Sequence, residues 1–506
     1  MELYLKCDVL QLACIFEEFR NVCLHHYALD PSYYVSAPNL AWDSMLKLTN
    51  INLELISDPE MFKMIDSALR GGICMITKRY AKANNPLLPA ALYDPTKPSN
   101  YIMYLDANNL YGWAMVQPIA FGGFRWMEED EFSKIDWQAQ TETQATGYYL
   151  ECDLEYPKEI HDAHNDYPLA PERLVVCQEA LSDQQNQIVK CYNIPRSAMT
   201  QTKLIPNLMD KTLYTLHYQN LKFYLDHGMR LKKVHRVICY QQSSWLAKYI
   251  NLNQQLRAAA NNEFEKDFFK LMNNSVYGKT CENLKKRTDI KLVTSEEKQR
   301  KLTNKPQCLA YKIFKEDLAA VQLRKAKVLV NKPFYVGFTV LELSKLLMYR
   351  FHYDYIKPKY QAKAQLLFTD TDSLMYDVET EDIFADMSTD KEHFDFAGYP
   401  KTSKFFDATN NKVLGKMKDE AAGQPVLEFI GLRPKMYSFV IATDPTDETK
   451  TKEKHVAKGI QRAVISNLHH EDYRRQLEAP IENHQINRRI GTCHIFIDIF
   501  YQILCF

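Results

Sequence analysis

Between Gln365 and Val378 the chain reads QLLFTDTDSLMYDV, two short apolar runs meeting at Thr369-Asp370-Thr371-Asp372. Runs of this length, bounded by a turn, predict a hairpin of buried strands whose apex carries two carboxylates. On an extended backbone the side chains at i and i+2 point the same way, so Asp370 and Asp372 are expected to share one face. Like charges crowded beside a buried sheet are costly without a cation. Mg2+ is the expected one, because hard oxygen ligands suit it and it keeps positions open for phosphate. An Asp-x-Asp turn is commonplace by itself, so the weight falls on what accompanies it.

Two further constellations do. YIMYLDANNLYGWAM opens with five apolar or aromatic residues and reads as a buried strand ending in Asp106, with Tyr111 five residues on. That supplies a third candidate metal ligand and a ring beside it, although a strand-end Asp alone is more often a cap. In KLMNNSVYG, Lys270, Asn274 and Tyr277 fall at i, i+4 and i+7 of a helix, one continuous face, with Lys266 a turn earlier. A core-facing stripe would not combine Lys, Asn and Tyr. Lysine as a point charge for polyphosphate, with a ring to pack against a base, fits a nucleoside triphosphate.

The remaining sequence sets bounds. At 506 residues and 59.1 kDa the chain exceeds one domain. Lys plus Arg and Asp plus Glu both number 63, so net charge selects no partner. The distribution does: Met127–Asp183 holds 15 acidic against 3 basic residues, and Asn261–Tyr360 holds 21 basic against 11 acidic. The first stretch repels polyanions and the second attracts them. The 12 cysteines include no C-x-x-C, which predicts reduced, mostly buried thiols. His161 and His164 read as part of a surface turn. No basic leader followed by an apolar run opens the chain, and no 18-residue apolar run occurs, so a soluble, intracellular protein without membrane contact is expected. Helical spacing is expected over Leu3–Phe19, Leu40–Leu48, Pro59–Leu69, Lys211–Gly228, Ser244–Lys279 and Val340–Tyr353, and a strand over Gly147–Tyr156. Cys281–Arg300 reads as a Lys-rich insertion.

The three constellations, in this order, resemble motifs A, B and C of family B DNA polymerases: D-x-x-(S/N)-L-Y at Asp106–Tyr111, K-x-x-x-N-S-x-Y-G at Lys270–Gly278 and D-T-D-S at Asp370–Ser373. NDYPLAPE, HYQNLKFYL, QSSWLAKYI, EKDFFKLMNNSVYGKT and LGKMKDE are similar to the protein-primed (organellar and viral) branch, and within it to polymerases of Polinton (Maverick) transposons. Arg433-Pro-Lys435-Met-Tyr437 matches the K-x-Y element that contacts the primer strand, and Tyr4 to Asp8 matches the third exonuclease motif, Y-x-x-x-D.

The resemblance spans about Tyr4 to Leu477. It implies an α+β right-hand polymerase with an antiparallel palm sheet, two insertions and the remnant of a preceding exonuclease domain. Residues 1–90 would be that remnant and a linker, 91–121 palm, 122–239 a palm strand near Leu150 and a first insertion like the terminal-protein region, 240–280 fingers, 281–330 a second insertion, 331–454 palm and 455–506 a partial thumb. The resemblance makes Asp106, Asp370 and Asp372 the catalytic ligands of two Mg2+ ions, for which Mn2+ can substitute. Asn109, Leu110, Tyr111, Lys266, Lys270, Asn274 and Tyr277 would hold the dNTP, with Tyr111 under the deoxyribose. Ser275, Gly278, Lys279, Lys435 and Tyr437 would contact DNA. The implied partners are template and primer DNA, dNTPs and a terminal (priming) protein, at a nuclear or viral replication site.

Several positions depart from the pattern. Gly112 stands where the family usually has Pro, and Leu69-Arg70-Gly71-Gly72 lacks the tyrosine of Y-x-G-G. Only three residues precede Tyr4, so the other exonuclease carboxylates are missing and Tyr4 and Asp8 are not expected to support proofreading. After Asn487 the tail RRIGTCHIFIDIFYQILCF lacks the polar, basic character of a thumb, which predicts weak, distributive synthesis. Two alternatives stay open on the residues alone: a D-x-D nucleotide-sugar glycosyltransferase, and a decayed transposon product that binds DNA without copying it.

Overall fold

The computed structural model describes residues 2–191, 200–444, 446–478, 484–493 and 496–505. Helices Glu2–Tyr27 (α1), Ala37–Thr49 (α2) and Pro59–Ser67 (α3) come first. Asp58 caps α3 by accepting from the N–H groups of Glu60 and Met61. Strands Cys74–Ile76 (β1), Tyr80–Lys82 (β2) and Asn100–Ala107 (β3) lead into helix Leu110–Val116 (α4). Then come Ile119–Trp126 (β4), Thr146–Glu155 (β5), Lys211–His217 (β6), helix Tyr218–Asp226 (α5) and Arg230–Ser243 (β7). Helices Ala247–Ala259 (α6) and Glu263–Thr280 (α7) precede strands Thr288–Val293 (β8), Cys308–Lys315 (β9) and Leu318–Arg324 (β10), and helix Phe334–Arg350 (α8). Strands Ala364–Asp370 (β11), Ser373–Glu379 (β12), Met417–Asp419 (β13), Val426–Arg433 (β14), Met436–Ala442 (β15) and Thr451–Ala457 (β16), then helix His470–Glu478 (α9), follow.

The main sheet runs β1-β11-β12-β3-β14-β15-β16, antiparallel along this path, with β13 also on β3 and β2 on β14. β3 takes a central place because both its faces are apolar. Tyr101, Met103, Leu105 and Ala107 pack into the large core that includes the helices, while Ile102 and Tyr104 meet Phe368 and Phe439 on the other side. Burying each Met, Leu, Ile or Phe among them contributes about 1.5–3 kcal/mol. Helix α8 is buried on nearly all sides, and its Glu342 and Lys345 pair at 3.2 Å. Helix α9 is fastened to the sheet by Ser438 Oγ, 2.8 Å from His470 Nδ1, and by Arg474 on Glu428.

The structure corrects several expectations. The strand near Leu150 is β5, and it belongs to a separate sheet of order β4-β7-β5-β6. Pairing with β6 and β7 occupies both its edges, so it cannot join β3. Lys211–Gly228 is not one helix: Lys211–His217 pairs with β5, and α5 starts only at Tyr218, where His217 Nδ1 accepts from Gln219 N–H at 3.3 Å. Strand pairing outweighs the local helical spacing there. The Lys-rich region is a three-stranded sheet, β8-β10-β9, with one helix, Glu296–Thr303, over Val293, Ala319, Val321 and Leu323.

His164 is buried and meets the Tyr156 hydroxyl at 2.9 Å, which removes it from a surface turn. Of the described free cysteines only Cys23, Cys152 and Cys239 are buried. Among the described residues no helix is long and apolar enough to cross a membrane. The expectation of an aberrant tail falls on side chains outside the described residues; the backbones of His484–Cys493 and Phe496–Cys505 pair antiparallel.

Candidate active site

In the main sheet Asp106 lies directly opposite Ser373, so the end of β3 meets the apex of the β11–β12 hairpin. Asp370 pairs with Ser373 across the two-residue turn Thr371-Asp372, and Thr371 takes φ 66. That reversal breaks the i, i+2 alternation. Asp372 leaves the ladder and lines a cavity with Asp106, whereas Asp370 remains in the strand, ion-paired to Lys435 and accepting from Cys74 Sγ at 3.0 Å. Of the two aspartates only Asp372 lines the cavity, and, after desolvation, the Asp370 charge nearby helps to push the Asp372 carboxyl up. The turn is held by Thr371 N–H on the Ile73 carbonyl at 2.8 Å. Gly72 closes over it: a Cβ there would stand 2.3 Å from Thr371 Cγ2.

The cavity, about 530 Å³, is lined by the carboxylates Asp106, Asp372, Asp395 and Glu420 and by the cations Arg257, Lys270, Lys412 and Lys418, together with Asn109, Leu110, Tyr111 and Asn274. Desolvation first, then the Asp372 and Glu420 carboxylates, hold the Asp106 carboxyl up at about 7. Asp372 is open to water at the surface, yet the protein around it still withholds bulk hydration and pushes its carboxyl up. Lys418 pairs with Glu420 at 2.9 Å and lies opposite Asp106 on β13.

The α7 face forms as the spacing predicts. Asn262 caps the helix through Glu265 N–H at 2.8 Å, and Phe268, Phe269, Met272 and Val276 turn into the core. The opposite stripe brings Lys270 and Asn274 to the cavity and packs Tyr277 on Tyr111, ring centroids 4.4 Å apart. Asn109, at φ 43, caps α4 by accepting from Gly112 N–H at 3.2 Å.

Other expected site residues lie elsewhere. Lys266 pairs with Glu263 at 2.7 Å and Lys279 with Glu282 at 3.5 Å, and neither lines the cavity. The Ser275 hydroxyl is buried and Gly278 faces open space. Tyr437 is 3% exposed, stacks on Phe368 at 4.3 Å and meets the Tyr104 hydroxyl at 3.2 Å, so it braces the strand that carries Asp106. Lys435 sits at φ 64 in the turn between β14 and β15. Tyr4 and Asp8 are exposed on α1, remote in sequence from the cavity-lining residues.

Arg257, Lys412, Lys418 and Glu420 were not anticipated. Lys418 and Glu420 follow an i, i+2 strand pattern within LGKMKDE and were findable; Arg257, in the last turn of α6, carries no local signal.

A hard divalent cation fits these donors. Among the described residues no three Asp, Glu, His or Cys side chains gather closely enough to chelate an ion by themselves. Mg2+ does not need that, since one or two carboxylates plus substrate phosphates commonly hold it.

Asp106 at the end of β3 and Asp372 in the β11–β12 turn thus face Arg257 of α6 and Lys270 of α7 across one cavity. The sequence pattern of DNA polymerase type B, organellar and viral, matches residues 2–328. The chain belongs to that family. Its fold is similar to that of Phi29 DNA polymerase: with primer-template DNA, 15% identity and TM-score 0.56 over 96% of this chain and 70% of that one; in an orthorhombic crystal form, 14% and 0.54 over 93% and 67%. The ternary complex with primer-template DNA and incoming nucleotides matches at 13% and 0.52 over the same shares, 93% and 67%. No curated protein matches the chain.

The structure explains Gly112. A Cβ there would stand 2.3 Å from the Asn109 side-chain amide, and proline would also remove the N–H that Asn109 accepts. Gly112→Pro, which restores the family's usual residue, is expected to cost about 1–3 kcal/mol and lower the melting temperature. An unchanged melt would refute this reading of the turn.

Proposed function

We propose that the chain catalyses template-directed addition of dNMP to a primer 3′-hydroxyl, with template and primer DNA and dNTPs as its partners. The observation that carries this reading is the convergence of Asp106 and Asp372, from distant parts of the sequence, on a cavity whose other lining includes Lys270, Asn274 and Arg257. Asp106 and Asp372 would hold divalent magnesium, with Glu420 adding negative potential. Magnesium held by these carboxylates would supply acidification of the attacking hydroxyl and charge stabilisation on the leaving pyrophosphate.

The chain's own groups do the rest. Lys270 and Arg257 neutralise the triphosphate, and the Asn109–Tyr111 turn receives it. Tyr111, its ring fixed against Tyr277, occupies the space beside the sugar. Asp370 acts through Lys435, whose ammonium it orients toward the primer strand. The basic region from Lys285 to Lys327 adds sequence-independent phosphate contacts.

Primer extension on activated DNA with Mg2+ and dNTPs tests the reading; no incorporation by the intact chain would overturn it. A discriminating variant is Tyr111→Val. It is expected to narrow the preference for dNTP over rNTP by at least about tenfold, with a smaller loss of dNTP use. An unchanged ratio would show that the ring only packs.

A further inference from the structure

The cationic lining of the cavity has a member that belongs to neither helix of the fingers. Lys412 stands at φ 56 in the palm loop that precedes β13. Its backbone N–H donates to Asp395 Oδ2 at 2.8 Å. Asp395 is 4% exposed; the same Oδ2 accepts from Asn108 Nδ2 at 2.7 Å, and Oδ1 accepts from Ala397 N–H at 2.9 Å. Asn108 is tied to the loop twice more: Gly415 N–H donates to its carbonyl at 2.8 Å, and its own N–H donates to Lys416 O at 2.9 Å. Gly415, at φ 76, admits no side chain, since a Cβ would stand 2.5 Å from Trp113. The loop is thus locked to the residue immediately before Asn109, and Lys412 is placed with the turn that receives the triphosphate. From the fingers, Gln254 Nε2 donates to the Lys412 carbonyl.

Lys412 has cations close by, while the carboxylate nearest to it, Asp395, is already engaged by Asn108 and by backbone N–H groups. Lys412 lines the same cavity as Arg257 and Lys270, and burial, then Arg257 and Lys266, push its ammonium pKa down against the opposing pull of Asp395 and Glu263. Arg257 Nε is buried without a hydrogen-bond partner. Among the described residues no carboxylate forms a salt bridge with Arg257, Lys270 or Lys412. Three cations on one cavity wall that share no ion pair leave their charge available to a polyanion.

We propose that Lys412 is a nucleotide-binding residue contributed by the palm, contacting the triphosphate together with Lys270 and Arg257 of the fingers. This rests on the polymerase reading above. Because the loop is anchored through backbone groups and Asp395, removing the Lys412 charge leaves its position intact.

Single-nucleotide incorporation on a primer-template, with Mg2+ and varied dNTP, reads the effect. Lys412→Met is expected to raise KM for dNTP about tenfold or more with kcat within about twofold, and Lys412→Arg to restore most of the loss. Lys401→Met, an exposed lysine in the same loop outside the cavity, should leave KM unchanged. Calorimetric binding of inorganic tripolyphosphate should weaken in Lys412→Met and Lys412→Gln but not in Lys401→Met, with melting temperatures confirming folded protein. An unchanged KM, a loss in kcat alone, or equal tripolyphosphate binding by wild type and both Lys412 variants would overturn the assignment. If the wild-type chain incorporates nothing, the polymerase reading fails, and the tripolyphosphate comparison still decides the role of Lys412.

Discussion

Asp106→Asn and Asp372→Asn are each expected to reduce nucleotide incorporation by about three orders of magnitude or more, with duplex DNA binding within about twofold of wild type. Metal-borne charge stabilisation in phosphoryl transfer is worth several kcal/mol, and each 1.36 kcal/mol is a factor of about ten in rate. Both carboxylates line the cavity, whereas none of the lysines from Lys285 to Lys327, proposed above to contact the DNA backbone, does, so the two readouts should separate. Asp370→Asn should behave differently. Its carboxylate is engaged with Lys435 and Cys74 outside the cavity lining, so the loss should be smaller and should appear as weaker primer binding. Primer extension and a gel-shift titration on the three variants check this. Near-wild-type incorporation by Asp106→Asn or Asp372→Asn would sink the assignment of both.

Lowering the pH below about 7 should slow incorporation roughly tenfold per unit at subsaturating Mg2+, with the inflection moving to lower pH as Mg2+ rises. Asp106, whose ordinary value is 3.8, is held up at about 7 by desolvation and by Asp372 and Glu420. An acid raised in this way keeps its proton across the window between those values, and a cation must displace it. The same linkage fixes the sign for stability. Through that window the folded state binds a proton that the unfolded state has lost, so Asp106 makes the metal-free protein less stable as pH rises towards about 7. Added Mg2+ should therefore raise the melting temperature more at about pH 8 than at about pH 6, and EDTA should remove the difference. A rate indifferent to pH, or an inflection that ignores Mg2+, would count against a metal at Asp106.

What could be read from the sequence was local and periodic. Lys270, Asn274 and Tyr277 were placed by the helical repeat alone, and α7 keeps them on one stripe because Phe268, Met272 and Val276 claim the other. Asp106 was legible as the polar end of an apolar strand. The hairpin was legible too, but not the direction of its carboxylates, since that depends on the positive φ of Thr371, which simple alternation does not include. The strand near Leu150 is legible as a strand but its sheet is not, because partner choice is decided by which edges are free, here those of β6 and β7. Arg257 and Lys412 were invisible: each reaches the cavity through tertiary packing, with no periodicity of its own.

The pairing of Asp106 with Ser373 has a consequence for how such a chain tolerates change. Bringing those strands together closes a loop of about 270 residues, and the entropy of closing a flexible loop grows only with the logarithm of its length, so that doubling the loop adds about 0.6 kcal/mol. An intervening segment that folds on its own sheet around its own small core, β8-β10-β9, can lengthen or shorten at little cost to the ladder that sets the two aspartates. The reacting centre is in this sense decoupled from the size of what is threaded through it. A change of length in β8-β10-β9 leaves the ladder in place, while a shift of one residue in the register between β3 and β12 would move Asp106 to the opposite face of the sheet.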